Sequence, residues 1–145
     1  MNTISTYDIK YLFEPQSIAV IGASQDKKKV GYAVFNNIIA GGYKGKVFPV
    51  SPKGGTIDGY KVLTDILEIE EGVDCASIVI PAHLVKDAVR KCAQKKVKFL
   101  QIITSGFSEI GNVREEKEIL DIASGAGTRI IGPNMFGLYS CASSL

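Results

Sequence analysis

The chain has 145 residues, which suits one ordinary domain and leaves no room for a second core of similar size. Hydrophobic residues make up 46% of it and charged residues 22%, a composition that excludes a disordered or collagen-like chain. The 17 Lys and Arg residues against 15 Asp and Glu residues give a net charge of +2, too small for a general field that gathers nucleic acid or coats a membrane. We therefore predict no nucleic-acid or membrane partner and expect any anion to bind at a local site.

Cysteine usage and the N-terminus indicate the compartment. The cysteines are odd in number and none lies in CxxC spacing, so the sequence predicts neither a disulfide framework nor a metal site: Cys75, Cys92 and Cys141. The first ten residues are polar, and no apolar run approaches the roughly 18 to 20 residues of a membrane span. Both patterns favour a cytoplasmic protein.

Short, continuous apolar runs alternate with helical patterns along the chain. A weak strand is expected at Tyr60–Val62, and residues 1–15 form a lead-in. The five stronger runs are typical of parallel strands that are covered on both faces: Ser17–Ile21, Lys46–Val50, Cys75–Ile80, Phe99–Ile103 and Arg129–Ile131.

Amphipathic repeats predict helices over Val30–Ile38, Leu84–Lys95 and Ile119–Ala126. The first ends at Gly41-Gly42 and the third near Gly127, which are helix-stop signals. The predicted order is β-α-β-(β-α)-β-α-β-α-β. Because parallel crossovers are right-handed, this order predicts an α/β fold with a Rossmann-like, doubly wound, mainly parallel sheet, in a single domain over residues 1–145.

Ligands of such a sheet bind outside the carboxyl ends of its strands, so the residues after each run form the candidate site. We expect all five ends to converge on one crevice. Each is small, hydroxylated or turn-forming: Gly22-Ala23-Ser24-Gln25, Ser51-Pro52-Lys53-Gly54-Gly55, Pro81-Ala82-His83, Thr104-Ser105-Gly106 and Gly132-Pro133-Asn134.

The first end suits a phosphate. Gly22 permits a tight turn and close backbone approach, Ser24 offers a hydroxyl, and the helix that begins near Val30 points free N–H groups at an anion. The alternative interpretation is an ordinary turn and cap, with the lysines at 27–29 as a solvated loop.

The residues after the second predicted strand indicate which nucleotide cofactor the chain would bind. An NAD site combines a GxGxxG loop with an acidic residue after the second strand, and this chain has neither. Lys53 stands there instead, and a cation favours a ligand that is phosphorylated on its ribose, either coenzyme A or NADP. An ordinary exposed loop lysine is the alternative interpretation.

His83 and Glu109 are the remaining candidates for chemistry. His83 is the only histidine, but no thiol or carboxylate accompanies it in its motif, so we interpret it as a lining residue and predict no catalytic residue in the chain. Glu109 is either a carboxylate at the rim of the crevice or a cap for the helix that begins near Asn112.

A further set of motifs spans nearly the whole chain: Leu12–Pro15, Ser17–Ser24, Val30–Tyr32, Gly45–Val50, Val73-Asp74, Ile80–Ala82, Thr104–Phe107 and Ile131–Asn134. In their order and spacing they resemble the CoA-binding domain that opens ADP-forming acyl-CoA (acetyl-CoA) synthetases, the relatives of the succinyl-CoA synthetase alpha subunit. The same domain also heads some acyl-CoA-dependent protein lysine acetyltransferases.

The resemblance implies coenzyme A as the cofactor and assigns parts of it to the strand ends. It implies that Ala23-Ser24-Gln25, after Gly22, holds the phosphates. Lys53, in the Ser51-Pro52-Lys53 end, would lie beside the nucleotide end, and Ile80-Pro81 would line the adenine. Ile103-Thr104-Ser105 would touch the pantetheine arm, whose thiol points toward the Gly132-Pro133-Asn134 turn.

The sequence also departs from the family. Many relatives have a cysteine directly after the Gly-Pro-Asn turn, where this chain has Met135. The family reaction runs through a phosphohistidine in a later domain, and His83 does not match it. That domain and the ATP-grasp part are expected outside this chain.

The resemblance thus implies a domain that binds CoA or acyl-CoA and presents the CoA thiol to an acyl phosphate formed elsewhere in an acid–thiol ligase. Other domains or a beta subunit would be its partners, and the isolated chain is expected to be inactive. Two alternatives stay open: an NAD(P)H-binding regulatory or redox-sensing module, and a stand-alone CoA-binding protein.

Overall fold

Strands and helices alternate through the residues that a computed structural model of the chain describes, which are residues 6–145. Residues 1–5, part of the predicted lead-in, lie outside them. In chain order the strands are β1 (Ser17–Ile21), β2 (Lys46–Val50), β3 (Thr56–Ile57), β4 (Tyr60–Lys61), β5 (Cys75–Ile78), β6 (Phe99–Ile102) and β7 (Arg129–Ile131). The helices are α1 (Thr6–Phe13), α2 (Val30–Ala40), α3 (Ala82–Gln94) and α4 (Val113–Gly125).

Five of these strands form one parallel sheet in the order β2-β1-β5-β6-β7. The predicted fold class, an α/β Rossmann-like doubly wound sheet, is confirmed. β1 pairs with β2 on one side and with β5 on the other, so the direction in which strands are added reverses at β1. The carboxyl ends of β1 and β5 therefore border the topological switch point, where ligands of doubly wound sheets bind.

The helices cover the two faces of the sheet, because successive strand residues point to opposite sides. On one face, Ile18 and Val20 of β1 pack with Phe35 and Ile38 of α2. On the other face, Ala76 and Ile78 of β5 belong to the same cluster as Val85 and Val89 of α3 and Ile119 of α4. The predicted crossover helices thus supply the two layers that bury the sheet.

The predicted order contains an additional strand and helix between β2 and β5. The prediction of that helix is wrong. The weak strand exists as β4, but it pairs antiparallel with β3 in a separate hairpin. Asp58 and Gly59 form the hairpin's two-residue turn with φ of 47° and 86°, and Asp-Gly favours such turns because both residues tolerate positive φ. Only a single 3₁₀ turn, Ile66–Glu68, follows before β5.

Two strand ends also differ from expectation. β5 and β6 end at Ile78 and Ile102, although Val79 and Ile103 still donate backbone hydrogen bonds to the neighbouring strands, over 2.8 and 3.1 Å. The lead-in contains α1, which the sequence analysis did not predict and which buries Leu12 in the core. In the described range no helix is long and apolar enough to cross a membrane.

Candidate functional site

The loop after β1 is held tightly between two neighbouring elements. Gly22 has a φ of 98°, and a Cβ atom there would overlap the carbonyl oxygen of Val79 at the end of β5. A Cβ atom at Gly31, in the first turn of α2, would overlap the Gly22 carbonyl oxygen. Only glycine fits at both positions, so the loop runs directly over the switch point and against the start of α2.

Some polar groups of this loop are already used within the protein. The amides of Gly22 and Ala23 both donate to the Val50 carbonyl oxygen, over 2.9 and 3.2 Å. The Ser24 hydroxyl oxygen accepts from the Asp26 amide at 3.1 Å. Because Ala23 is also buried, the groups left to meet an anion include the hydroxyl proton and amide of Ser24, the amide of Gln25 and the free amides at the start of α2. No side chain of the described residues caps α2.

Gln25 joins the first loop to the second. Its side-chain Nε2 donates to the carbonyl oxygen of Thr56, the first residue of β3, over 2.6 Å. Sequence reasoning expected Gln25 to contact phosphate and did not single out Thr56. No sequence signal marks Thr56, because the partner is a backbone oxygen that the hairpin carries into place.

The second loop presents Lys53 to solvent. The Gly54 amide donates to the Ser51 carbonyl oxygen at 2.9 Å, which closes a turn with Pro52 and Lys53 at its tip. The Ser51 amide in turn donates to the Leu63 carbonyl oxygen at 2.8 Å, so the hairpin returns to the end of β2. Lys53 is exposed on this turn, at the same edge of the sheet as the first loop.

Thr104 joins the ends of β5 and β6. Its hydroxyl donates to the Ile80 carbonyl oxygen at 2.7 Å and accepts from the Ile80 amide at 3.3 Å. The side chain of Ile80 stays partly exposed, and Pro81 is exposed. His83 is exposed in the first turn of α3, and its side chain makes no hydrogen bond within residues 6–145.

Glu109 neither caps α4 nor extends freely at the rim. Its carboxylate accepts hydrogen bonds from the amides of Gly106 and Phe107, the latter at 3.1 Å. The hydrogen bond from the Gly106 amide is the main reason that the pKa of Glu109 lies below its ordinary value. Asn112 supports the same loop, because its side-chain amide donates to the Gly106 carbonyl oxygen at 2.9 Å. The Ser105-Gly106 end is therefore held in shape by side chains that follow it.

The fifth end is tied to the fourth. The Asn134 amide donates to the Thr104 carbonyl oxygen at 3.0 Å. Hydrogen bonds and close backbone contacts thus connect all five strand ends in sheet order. With strands about 4.8 Å apart, they form a row of roughly 19 Å along one edge, which suits an elongated ligand better than a compact one.

The comparisons with known proteins agree with this geometry. The model of a protein family described as a CoA binding domain matches residues 16–140. The chain belongs to that CoA-binding domain family. The predicted resemblance is confirmed, and so is coenzyme A as the cofactor. The NAD(P)H-binding alternative is not favoured.

Similar proteins are longer than this chain. The alpha subunit of ADP-forming acetate–CoA ligase I from Pyrococcus furiosus is 45% identical over 143 residues, which cover 94% of this chain and 31% of the relative. An ADP-forming acetate–CoA ligase from Methanocaldococcus jannaschii is 42% identical, with 92% of this chain and 19% of the relative covered. The chain therefore spans less than a third of these curated relatives.

Solved structures show the same relationship. A Pyrococcus horikoshii protein superposes with a TM-score of 0.91 at 46% identity, covering 94% of this chain and 32% of that one. A dinucleotide-forming acetyl-coenzyme A synthetase 1 from Candidatus Korarchaeum cryptofilum, in complex with phosphate and ADP, also gives 0.91, at 38% identity with 94% and 30% covered. The fold of this chain is thus that of one part of these longer chains.

Proposed function

We propose that this chain, as one CoA-binding domain over residues 1–145, binds coenzyme A along the carboxyl edge of its sheet and presents the thiol within an ADP-forming acyl-CoA ligase. The hydrogen bond between Gln25 and Thr56 supports the assignment, because it ties the first loop, which leads into the open start of α2, to the segment that follows Lys53. The phosphate groups of the cofactor would meet these two positive regions. Its adenine would lie on Ile80 and Pro81.

The other end of the cofactor would follow the remaining strand ends. Ile103, Thr104 and Ser105 would contact the pantetheine arm, and the Gly132-Pro133-Asn134 turn would receive the thiol. This assignment is supported by the row of connected strand ends, since a nucleotide joined to a flexible arm is elongated. It also explains why no described residue at this edge needs to act as an acid or a base.

The reaction of such a ligase converts a carboxylate, CoA and ATP into acyl-CoA, ADP and phosphate. In the step that involves this domain, the thiol sulfur attacks the carbonyl carbon of an acyl phosphate. A C–S bond forms, the C–O bond to phosphate breaks, the phosphate leaves with the bonding electron pair, and the thiol proton passes to solvent or to a base elsewhere in the enzyme. This chain contributes positioning, which is worth several kcal/mol (about 7 to 11 at best).

Further domains or a beta subunit would supply the acyl phosphate and the nucleotide site, in the cytoplasm. The coverage of the relatives supports this, since this chain matches 31% of the ligase subunit from P. furiosus. We expect the 145-residue chain by itself to release no CoA from acetyl-CoA in the presence of ADP and phosphate. Turnover by a homogeneous preparation would show that the chain holds catalytic groups that this proposal does not assign.

The decisive experiment is a calorimetric comparison of three ligands on the 145-residue chain: CoA, 3′-dephospho-CoA and NADPH. CoA should bind most tightly, because it combines the 3′-phosphate with the pantetheine arm. NADPH should bind weakly or not at all. Equal affinities for CoA and 3′-dephospho-CoA would show that the second loop, with Lys53, does not recognise the 3′-phosphate. A preference for NADPH would overturn the proposal.

A further inference from the structure

We infer that Lys27 is a further cofactor-binding residue, which contacts the diphosphate bridge of coenzyme A and is held in position by the ring of Tyr32. This inference rests on the proposed function, because it concerns the same site. Lys27 lies in the loop after β1, which also carries Ser24 and leads into the open start of α2. These groups would meet the two phosphates in the middle of the cofactor.

The ammonium group of Lys27 lies over an aromatic ring. Its Nζ is 5.9 Å from the centroid of the Tyr32 ring, within the distance at which a cation and a ring attract each other. Two other such contacts lie near the amino ends of β6 and β7: Lys98 with Tyr11 and Arg129 with Phe99. Within residues 6–145, only the contact of Lys27 therefore lies at the carboxyl edge, where the cofactor would bind.

The ring of Tyr32 is itself fixed in place. It is partly buried and packs against the hydrophobic cluster that contains Phe35 of α2 and Ile57 of β3. Its hydroxyl interacts with the carboxylate of Asp58 in the hairpin turn, and burial first, then this carboxylate, raise the pKa of the hydroxyl. The ring thus connects α2 with the hairpin. Lys27, over that ring, is therefore held where the first loop and the hairpin meet.

The positive charge of Lys27 is not neutralised by a carboxylate. Lys27 makes no ion pair with any residue in the range 6–145, whereas Lys46 and Lys86 each pair with a glutamate. The carboxylate of Asp26, its neighbour in the chain, accepts a hydrogen bond from the Lys28 amide at 3.0 Å. An ammonium group has three N–H donors, so Lys27 can donate to a phosphate while it stays over the ring.

A lysine that is already held binds a phosphate better than a free one. Its side chain has several rotatable bonds, and fixing them on binding costs conformational entropy. The ring of Tyr32 restricts these bonds before the ligand arrives, so less entropy is lost when the diphosphate binds. Lys28 and Lys29 are exposed too, but they contact no ring in the described part of the chain. Lys27 should therefore contribute more than either neighbour, although all three carry the same charge.

The test measures the affinities of the 145-residue chain for CoA and for 3′-dephospho-CoA by calorimetry. Lys27→Ala should weaken the binding of both ligands by a similar factor, roughly three- to tenfold, because both contain the diphosphate. The ratio of the two affinities should stay unchanged, in contrast to Lys53→Ala. Lys28→Ala and Lys29→Ala are the matched controls, and each should weaken binding by less than about twofold.

Substitutions at Tyr32 separate the effect of holding the lysine from the effect of its charge. Tyr32→Phe keeps the ring and should keep the affinity for CoA, whereas Tyr32→Leu removes the ring and should weaken binding roughly two- to threefold. In the Tyr32→Leu background, Lys27→Ala should have a smaller effect than in the unchanged chain. Tyr32→Leu retains the cation, so the salt dependence of the affinity should stay as it is in the unchanged chain, while Lys27→Ala should reduce it.

Several outcomes would overturn the inference. These are equal losses in Lys27→Ala, Lys28→Ala and Lys29→Ala, a loss confined to CoA, which would assign Lys27 to the 3′-phosphate, or effects of Lys27→Ala and Tyr32→Leu that simply add. Failure of the unchanged chain to bind CoA would instead overturn the proposed function, and the inference with it. Thermal unfolding, measured on every variant, identifies losses of affinity that come from misfolding.

Discussion

Gln25 reaches across to Thr56 and holds the first and second loops of the sheet edge together. The side-chain Nε2 of Gln25 donates to the Thr56 carbonyl oxygen over 2.6 Å, although the residues are 31 positions apart in the chain. Thr56 begins the β3–β4 hairpin, and the turn of Lys53 lies just before it in the chain. The position of the Lys53 cation is therefore coupled to a side chain of the first loop.

Replacing Gln25 by Ala should loosen that coupling. Without the hydrogen bond, the hairpin and Lys53 lose one fixed anchor, so CoA affinity should fall roughly three- to tenfold, with a smaller loss for 3′-dephospho-CoA. Calorimetric titration measures both. Gln94→Ala, at the exposed end of α3, is the matched control and should change neither affinity. A loss of the same size for both ligands would mean that Gln25 acts on the phosphates directly.

Lys53→Ala should reduce the preference for the 3′-phosphate. An exposed cation near one phosphate contributes modestly, so we expect the ratio of the two dissociation constants to fall by roughly two- to fivefold. The effect should shrink in high salt, because exposed charges are screened. Lys117→Ala, an exposed lysine on α4, serves as the control for net charge. An unchanged ratio would leave Lys53 as an ordinary surface residue.

Gly22→Ala should destabilise the fold much more than Gly111→Ala. The two glycines have similar positive φ, 98° and 92°, but an added Cβ overlaps the Val79 carbonyl only at Gly22, whereas no described atom lies within 4 Å of it at Gly111. Gly111→Ala should therefore cost about 1 kcal/mol of unfolding free energy from the backbone conformation alone, and Gly22→Ala at least about 2 kcal/mol. Urea unfolding gives both values. Similar costs would show that the contact with β5 is easily relieved.

Glu109 should make the stability depend on pH in the acid range. Its pKa in the folded chain is lowered by the amide hydrogen bonds, first that of Gly106. A lowered folded pKa contributes stability above the unfolded pKa, and this contribution is lost as the pH falls through the folded pKa. Glu109→Gln should flatten that part of the stability–pH curve relative to Glu115→Gln, an exposed glutamate of α4. Parallel curves for the two variants would contradict the role of the carboxylate in holding the loop.

The three cysteines should react at very different rates with a thiol reagent at pH 8. Burial raises the pKa of Cys75 and of Cys92 to about 12, so almost no thiolate forms and the reagent cannot reach them. Cys141 is exposed. Ellman titration should show one fast equivalent, which Cys141→Ser removes, and two further equivalents only on unfolding. A second fast thiol in the folded chain would show that one face of the sheet opens readily.

Local patterns of hydrophobicity were sufficient to predict much of this fold. The bounds of β1 and β2, the amphipathic face of α3 and the glycine stop after α2 depend on neighbouring residues, so the sequence reveals them. The prediction was wrong for the segment after Tyr60, where a helix was expected and a hairpin and a 3₁₀ turn stand. The buried apolar residues there, Ile66, Ile69 and Val73, have helical spacing, yet they pack onto the sheet without a continuous helix.

Within the candidate site, the sequence by itself determined which residue types follow each strand and, through its family motifs, the cofactor. Those features are local in the chain. Only the tertiary structure decided how the ends are joined: Gln25 to Thr56, Thr104 to Ile80 and Glu109 to the Gly106 amide. Each of these hydrogen bonds has a backbone group as one partner. Because every residue has such a group, the amino-acid type at that position does not predict the bond. The positions of such groups exist only once the sheet and its loops are assembled.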